Sequence, residues 1–143
     1  MAYSIESNLL DRITEQQLIE LTDDENVGQI DAAKVTSAIA AADGIIDSYA
    51  GGRHQLPLVG NEIVEKLSVD LALYELYSRR GVASETVKDR RDQAISLLKS
   101  VSAGHASLNQ EAKKQVGVAE VLTPERTEQE DKLRFGRDNL KEF

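Results

Sequence analysis

The chain has 143 residues and a net charge of −8, from 17 basic and 25 acidic side chains. That length suits one folded core, and 41% apolar with 29% charged residues is ordinary for a globular protein. Cysteine is absent, which excludes disulfides, thiolate metal sites and thiol catalysis, and the 4% aromatic content without tryptophan argues against a base-stacking platform.

The predicted fold is all-α: a bundle of about four main helices over residues 1–104, followed by an extended C-terminal arm over 105–143. At the start, Ser7 is expected to cap a short turn carrying Leu9, Leu10 and Ile13. Thr14 with Gln17 is a capping-box pattern that opens a short helix with Leu18, Ile19 and Leu21. A polar loop over 22–31 ends in Asp31, a good N-cap. A longer helix then runs from about Ala32 to Tyr49, with Val35, Ala38, Ile39, Ala42, Ile45, Ile46 and Tyr49 on one face. Its many alanines invite close approach by a neighbour, and Gly51-Gly52 stop it.

The segment Arg53 to Asn61 contains Leu56-Pro57-Leu58, an extended stretch expected to cross the bundle end and pin Leu56 or Leu58 into it. The next helix runs from after Asn61 to Arg80, with Gly81 as its stop. From Leu67 to Tyr77 it is apolar at all but Ser68, Asp70 and Glu75, so it is expected to be central and buried on more than one side. The last bundle helix follows Ser84 and ends at Gly104, with Val87, Ala94, Ile95, Leu98 and Val101 as its stripe. Beyond Gly104 apolar residues are sparse until Leu133, Phe135, Leu140 and Phe143. A segment of that kind cannot bury itself, so it is expected to be disordered or docked on another chain.

Charge is unevenly spread. Residues 1–47 hold ten acids and two bases, residues 48–104 seven and eight, and residues 105–143 eight and seven. An acidic first third argues against gripping a phosphate backbone. The first residues show neither a basic n-region nor an apolar h-region, and no apolar stretch approaches the roughly 18–20 residues that span a bilayer. The expectation is a protein made and kept in the cytosol, or in a particle assembled there, with no membrane partner.

Several constellations could carry chemistry. The loop Asp23 to Lys34 mimics an EF-hand at Asp23, Glu25, Gly28, Ile30 and Asp31. It fails at Val27, which has no side-chain oxygen, and at Lys34, where a bidentate glutamate is needed. His54 and His105 lie next to helix-ending glycines and are expected in surface loops, without a metal or acid–base role. There is no Gly-x-Ser-x-Gly elbow, no phosphate loop and no dinucleotide-binding turn. Asp70, between Tyr74 and Tyr77 on the central helix, is expected to be a structural acid paired with Arg53 and bonded to a tyrosine hydroxyl. On that reading Asp70→Asn lowers the melting temperature. Arg79-Arg80 and Arg90-Arg91 form basic spots on successive helices. Their readings are a solvated face or, between copies, partners for an acidic first third that includes Asp23, Asp24 and Glu25.

Taken together, Ala2-Tyr3-Ser4, Leu21-Thr22-Asp23-Asp24, Ile46-Asp47-Ser48-Tyr49 with Arg53 and Leu56-Pro57-Leu58, and Val69-Asp70-Leu71-Ala72-Leu73-Tyr74 through Leu76-Tyr77-Ser78-Arg79-Arg80 resemble the Mu-like prophage head-completion family. The ending Arg134-Phe135-Gly136-Arg137-Asp138-Asn139-Leu140-Lys141-Glu142-Phe143 is similar to that family's C-terminal signature. The resemblance implies a virion protein of the head–tail neck: an adaptor without enzymatic activity or cofactor, forming a twelve-fold ring beneath the portal. Such a ring extends the DNA channel, lets DNA pass without specific binding, and presents a docking surface to a stopper or tail-terminator protein. The arm would then dock through Leu133, Arg134, Phe135, Arg137, Asp138, Leu140 and Phe143, on the portal or on an adjacent copy. The alternatives are another neck component (a stopper or tail terminator), a small helical nucleic-acid-binding regulator, and an enzyme of unfamiliar type built on Asp70 and its tyrosines.

Overall fold

A computed structural model describes residues 2–108. Among these residues there are five α-helices and no β-strand: α1 (Glu6–Leu10), α2 (Glu15–Thr22), α3 (Ala32–Ala50), α4 (Glu62–Arg80) and α5 (Glu85–Ala103). The three long helices pack on one another, and α4 also receives α1 and α2. The apolar girth of α4 explains its place. Every residue from Leu67 through Leu73 is buried, nearly two full turns, so the helix is covered on all sides.

The partners present narrower stripes. Helix α3 buries Val35, Ala38, Ile39, Ala42, Ile46 and Ala50, with Ile45 and Tyr49 partly covered. Its alanines leave the room α4 needs. Helix α5 buries Ala94, Leu98 and Val101, with Ile95 partly covered. Each fully buried leucine contributes roughly 2 kcal/mol of apolar transfer, which favours the packed state over isolated helices of this length.

The helix starts follow local chemistry. Thr14 Oγ1 accepts from the Gln17 N–H at 3.2 Å, and Gln17 Oε1 accepts from the Thr14 N–H at 3.0 Å. Asp31, Asn61 and Ser84 cap α3, α4 and α5 in the same way. Ser7 does not cap. It lies inside α1, which starts after Ile5, and Asn8 Oδ1 accepts the Ile5 N–H at 2.8 Å. Two helices stop at glycines in the left-handed region, Gly81 (φ 69) and Gly104 (φ 82). This turn brings the Val82 N–H to the Tyr77 carbonyl at 3.1 Å and the His105 N–H to that of Ser100 at 2.9 Å.

In the crossing segment Leu58 enters the core at 1% exposure, while Leu56 stays outside at 43%. The chain keeps packing beyond Gly104. Ala106 lies against the core, Leu108 is fully buried, and Asn61 Nδ2 donates to the Leu108 carbonyl. The arm residues Leu133, Arg134, Phe135, Arg137, Asp138, Leu140 and Phe143 lie outside the described residues.

Candidate functional site

Three polar centres are built into this bundle. The first sits where the end of α4 meets the loop after α2. Arg79 Nη1 and Nη2 donate to Asp24 Oδ2 and Oδ1 at 2.8 and 2.9 Å, and Nη2 also reaches the Leu21 carbonyl at 2.7 Å. Arg80 Nη2 donates to the Asp23 carbonyl at 2.8 Å and lies 3.3 Å from Asp24 Oδ1. Lys34 Nζ adds contacts to Asp24 (2.8 Å), Asp31 (3.0 Å) and the Thr22 carbonyl (3.0 Å). Arg79 and then Lys34 hold the Asp24 carboxyl far below the usual carboxylate range, and Lys34 lowers Asp31. The same contacts raise Lys34 and Arg79.

Asp23 turns its carboxylate onto the loop itself, accepting the Val27 and Gly28 N–H groups at 3.0 and 2.7 Å, which lowers its pKa. The loop oxygens therefore serve an ammonium, a guanidinium and backbone donors. Among the described residues no group of three or more histidines and carboxylates is arranged to hold a metal ion. The sequence raised Arg79 and Arg80 as partners for Asp23 and Asp24 of another copy. The structure closes these charges within one copy, because α2 lies along α4 and brings Asp24 to the guanidinium. Arg91 is engaged too, with Asp92 at 2.9 Å and over the Tyr74 ring at 5.1 Å. Arg90 and Glu25 remain exposed.

The second centre is Asp70, 6% exposed on α4. Its expected partner Arg53 is elsewhere, donating to the Ser102 and Ala103 carbonyls at 3.1 and 3.2 Å and so closing the C-terminus of α5. The nearest cation is Arg12, from the turn between α1 and α2, with Nη1 3.9 Å from Oδ1. The tyrosine hydroxyl expected at Asp70 is also missing from Oδ1, which has no hydrogen-bond partner. Burial pushes the Asp70 carboxyl above its ordinary value, opposed by the charges of Arg12, Lys66 and Arg90. Both corrections have one cause: helix phase fixes which side Asp70 faces, but not which loop passes there.

The third centre was not singled out from sequence. Tyr3 donates its N–H to Asp43 Oδ2 at 2.9 Å and its hydroxyl to Asp47 Oδ1 at 2.5 Å, while that hydroxyl accepts the Leu58 N–H at 3.2 Å. Ser68 Oγ donates to Asp43 Oδ1 at 2.6 Å and meets Ser4 Oγ at 2.7 Å. Burial and the Asp47 bond push the Tyr3 hydroxyl up to about 12. Ser68 is fully buried, and this chain of hydroxyls and carboxylates knits the N-terminal strap to α3 and α4. The available signal was Asp43, a carboxylate between two core positions of α3, facing Ser68 at the most buried stretch of α4.

The histidines divide. His105 is exposed, but His54 is only 4% exposed and its Nδ1 has no partner, contrary to the surface position expected. Its backbone N–H bonds the Ala50 carbonyl at 2.9 Å, which folds the residue back under the end of α3. A cleft of about 690 Å³ lies between α2, its loop and the end of α4, lined by Gln16, Gln17, Glu20, Tyr77, Arg80 and Val82. Its one guanidinium is already bonded to the loop. No helix among the described residues is long and apolar enough to cross a membrane.

A family model described as Bacteriophage Mu, Gp36 matches residues 3–121. The Mu-like prophage FluMu protein gp36 of Haemophilus influenzae is 31% identical over 107 residues, covering 74% of each chain. The matched span runs from the Tyr3 strap through all five helices, the same residues that build the three polar centres. This chain belongs to the Bacteriophage Mu Gp36 family.

Proposed function

We propose that this chain is a structural, non-enzymatic protein of a Mu-like phage particle: a head-completion adaptor that forms a ring beneath the portal. It extends the DNA channel and offers a docking surface to the next neck component, a stopper or tail terminator. The observation that carries this reading is the family match running through residues 3–121. The make-up of the bundle supports it. Its polar centres are used to fix helices and loops, and its core is small, so neighbours in a ring add stability by mass action. The 17 acidic against ten basic side chains of residues 2–108 would keep DNA sliding past rather than bound. The arm, with Leu133, Phe135, Leu140 and Phe143 flanked by Arg134, Arg137 and Asp138, supplies apolar and charged anchors for the portal.

The test mixes the full-length protein with the portal of the same phage and images the product by electron microscopy. A ring stacked on the portal is expected, and deletion of residues 128–143 should leave a folded monomer while abolishing the complex. A full-length protein that ignores the portal but shifts DNA at low salt would replace this reading with that of a regulator. An intact complex from the truncated chain would take the arm out of it.

A further inference from the structure

With Arg79, Arg80, Asp23 and Asp24 closed within one copy, two charged features are left unanswered. The first surrounds Asp70. Arg12, Lys66 and Arg90 come from the α1–α2 turn, α4 and α5, and all three act electrostatically on this one buried carboxylate. None is within hydrogen-bonding distance of it, and Oδ1 has no partner. All three cations are exposed, and among the described residues the only ion pair any of them makes is that of Arg12 with Asp70. Beside them Tyr74 is half-buried under the Arg91 guanidinium. This surface is cationic, with the Arg91–Tyr74 stack one turn of α4 further on, and suits a carboxylate next to an apolar side chain.

The second feature is the tip of the loop after α2. Glu25 is exposed and makes no ion pair among the described residues, and Val27 is 65% exposed. The tip is nonetheless held firmly. Asp23 binds the Val27 and Gly28 N–H groups, and Asp24 is tied to Arg79 and Lys34 on either side. A rigid tip presenting an acid and a valine loses little entropy on docking. Tip and receptor cannot meet within one copy. Arg12 precedes the eight-residue α2 and the tip follows it, roughly 12 Å apart along that helix. On α4 the corresponding positions, Asp70 and Arg79, lie roughly 13 Å apart.

We propose that the Glu25–Val27 tip of one copy docks on the Arg12, Lys66 and Arg90 surface of a second copy, a head-to-tail contact that repeats around a ring. The occupant is a second copy because its tip carries the charge and the apolar side chain the receptor lacks, and because two different faces of one chain make a heterologous junction that closes only as a ring or filament. The contact rests on the reading above that copies of this chain assemble together.

The test is sedimentation velocity of the full-length protein over a range of concentration and salt. Wild type should self-associate, and raising salt from about 0.1 to 1 M should weaken that association. Glu25→Arg and Arg90→Glu, each checked by circular dichroism for an unchanged fold, should each remain monomeric. Mixing the two should restore the oligomer, because both junctions are again matched in charge. Self-association by either variant alone at the wild-type level overturns the contact, as does a mixture that stays monomeric. So does an Arg90→Glu protein that loses low-salt DNA binding instead of self-association. A wild type that is monomeric throughout yet joins the portal overturns the contact while leaving the proposed function standing. Self-association without portal binding does the reverse.

Discussion

The Arg79 guanidinium lies fork-on-fork against the Asp24 carboxylate, at 2.8 and 2.9 Å, across 55 residues of sequence. A half-exposed pair of this kind is ordinarily weak. Here it belongs to a network with Lys34, Arg80, Asp31 and three backbone carbonyls, which fixes where the acidic loop sits on α4.

Asp24 therefore sets part of the acid limb of stability. Its folded pKa is held below the unfolded value, so the stabilisation is full above about pH 4 and is lost as pH falls through the folded value. Asp24→Asn is expected to lower the melting temperature by a few degrees at pH 7 and to lose less on acidification than wild type. Thermal melts between pH 7 and pH 2 read this, and parallel curves for the two proteins would contradict it.

Tyr3 titrates the other way. Its folded pKa, about 12, lies above the ordinary 10.0, so its contribution is complete below pH 10 and disappears between pH 10 and pH 12. Tyr3→Phe removes the bonds to Asp47 and Leu58 and should cost about 1.5 kcal/mol. Urea unfolding at pH 7 measures the loss, and the variant should be less sensitive to alkali than wild type. A variant as stable as wild type would show that the N-terminal strap is held by Asp43 and Ser4 alone.

Asp70 gives the opposite sign from the one its sequence position suggested. Burial raises its pKa and no hydrogen bond to Oδ1 compensates, so the ionised form costs stability as pH rises through the window between unfolded and folded values. Asp70→Asn is expected to raise the melting temperature by a few degrees at pH 7, with the gain shrinking below about pH 4. A lower melting temperature at pH 7 would mean that Arg12, Lys66 and Arg90 need the negative charge more than burial opposes it.

Gly104 is a backbone requirement. With φ at +82 it holds a conformation that other residues adopt at a cost, and a Cβ there would lie 2.7 Å from Arg53 Nη1. Gly104→Ala should cost about 1–2 kcal/mol, partly by displacing Arg53 from the end of α5. Gly52, with open space around it, is the control. Equal effects at both positions, measured by chemical denaturation, would remove the special role of Gly104.

What could be read from the chain alone was what depends on neighbours within a few residues. The capping pair Thr14 and Gln17, the caps at Asp31 and Ser84, the stops at Gly81 and Gly104 and the all-round apolar centre of α4 are each encoded within a turn or two, so bounds, caps and the central place of α4 followed from periodicity and local hydrogen bonding. Which distant side chains meet was not legible. Asp70 found Arg12 rather than Arg53, Asp24 closed on Arg79 of its own copy, and the Tyr3 strap reached Asp43 and Ser68. Those pairings depend on how α1, α2 and the crossing segment are laid over α4, and that is settled by side-chain volume across helix interfaces. A charge names what kind of partner it needs, but only the packed chain decides which one is within reach.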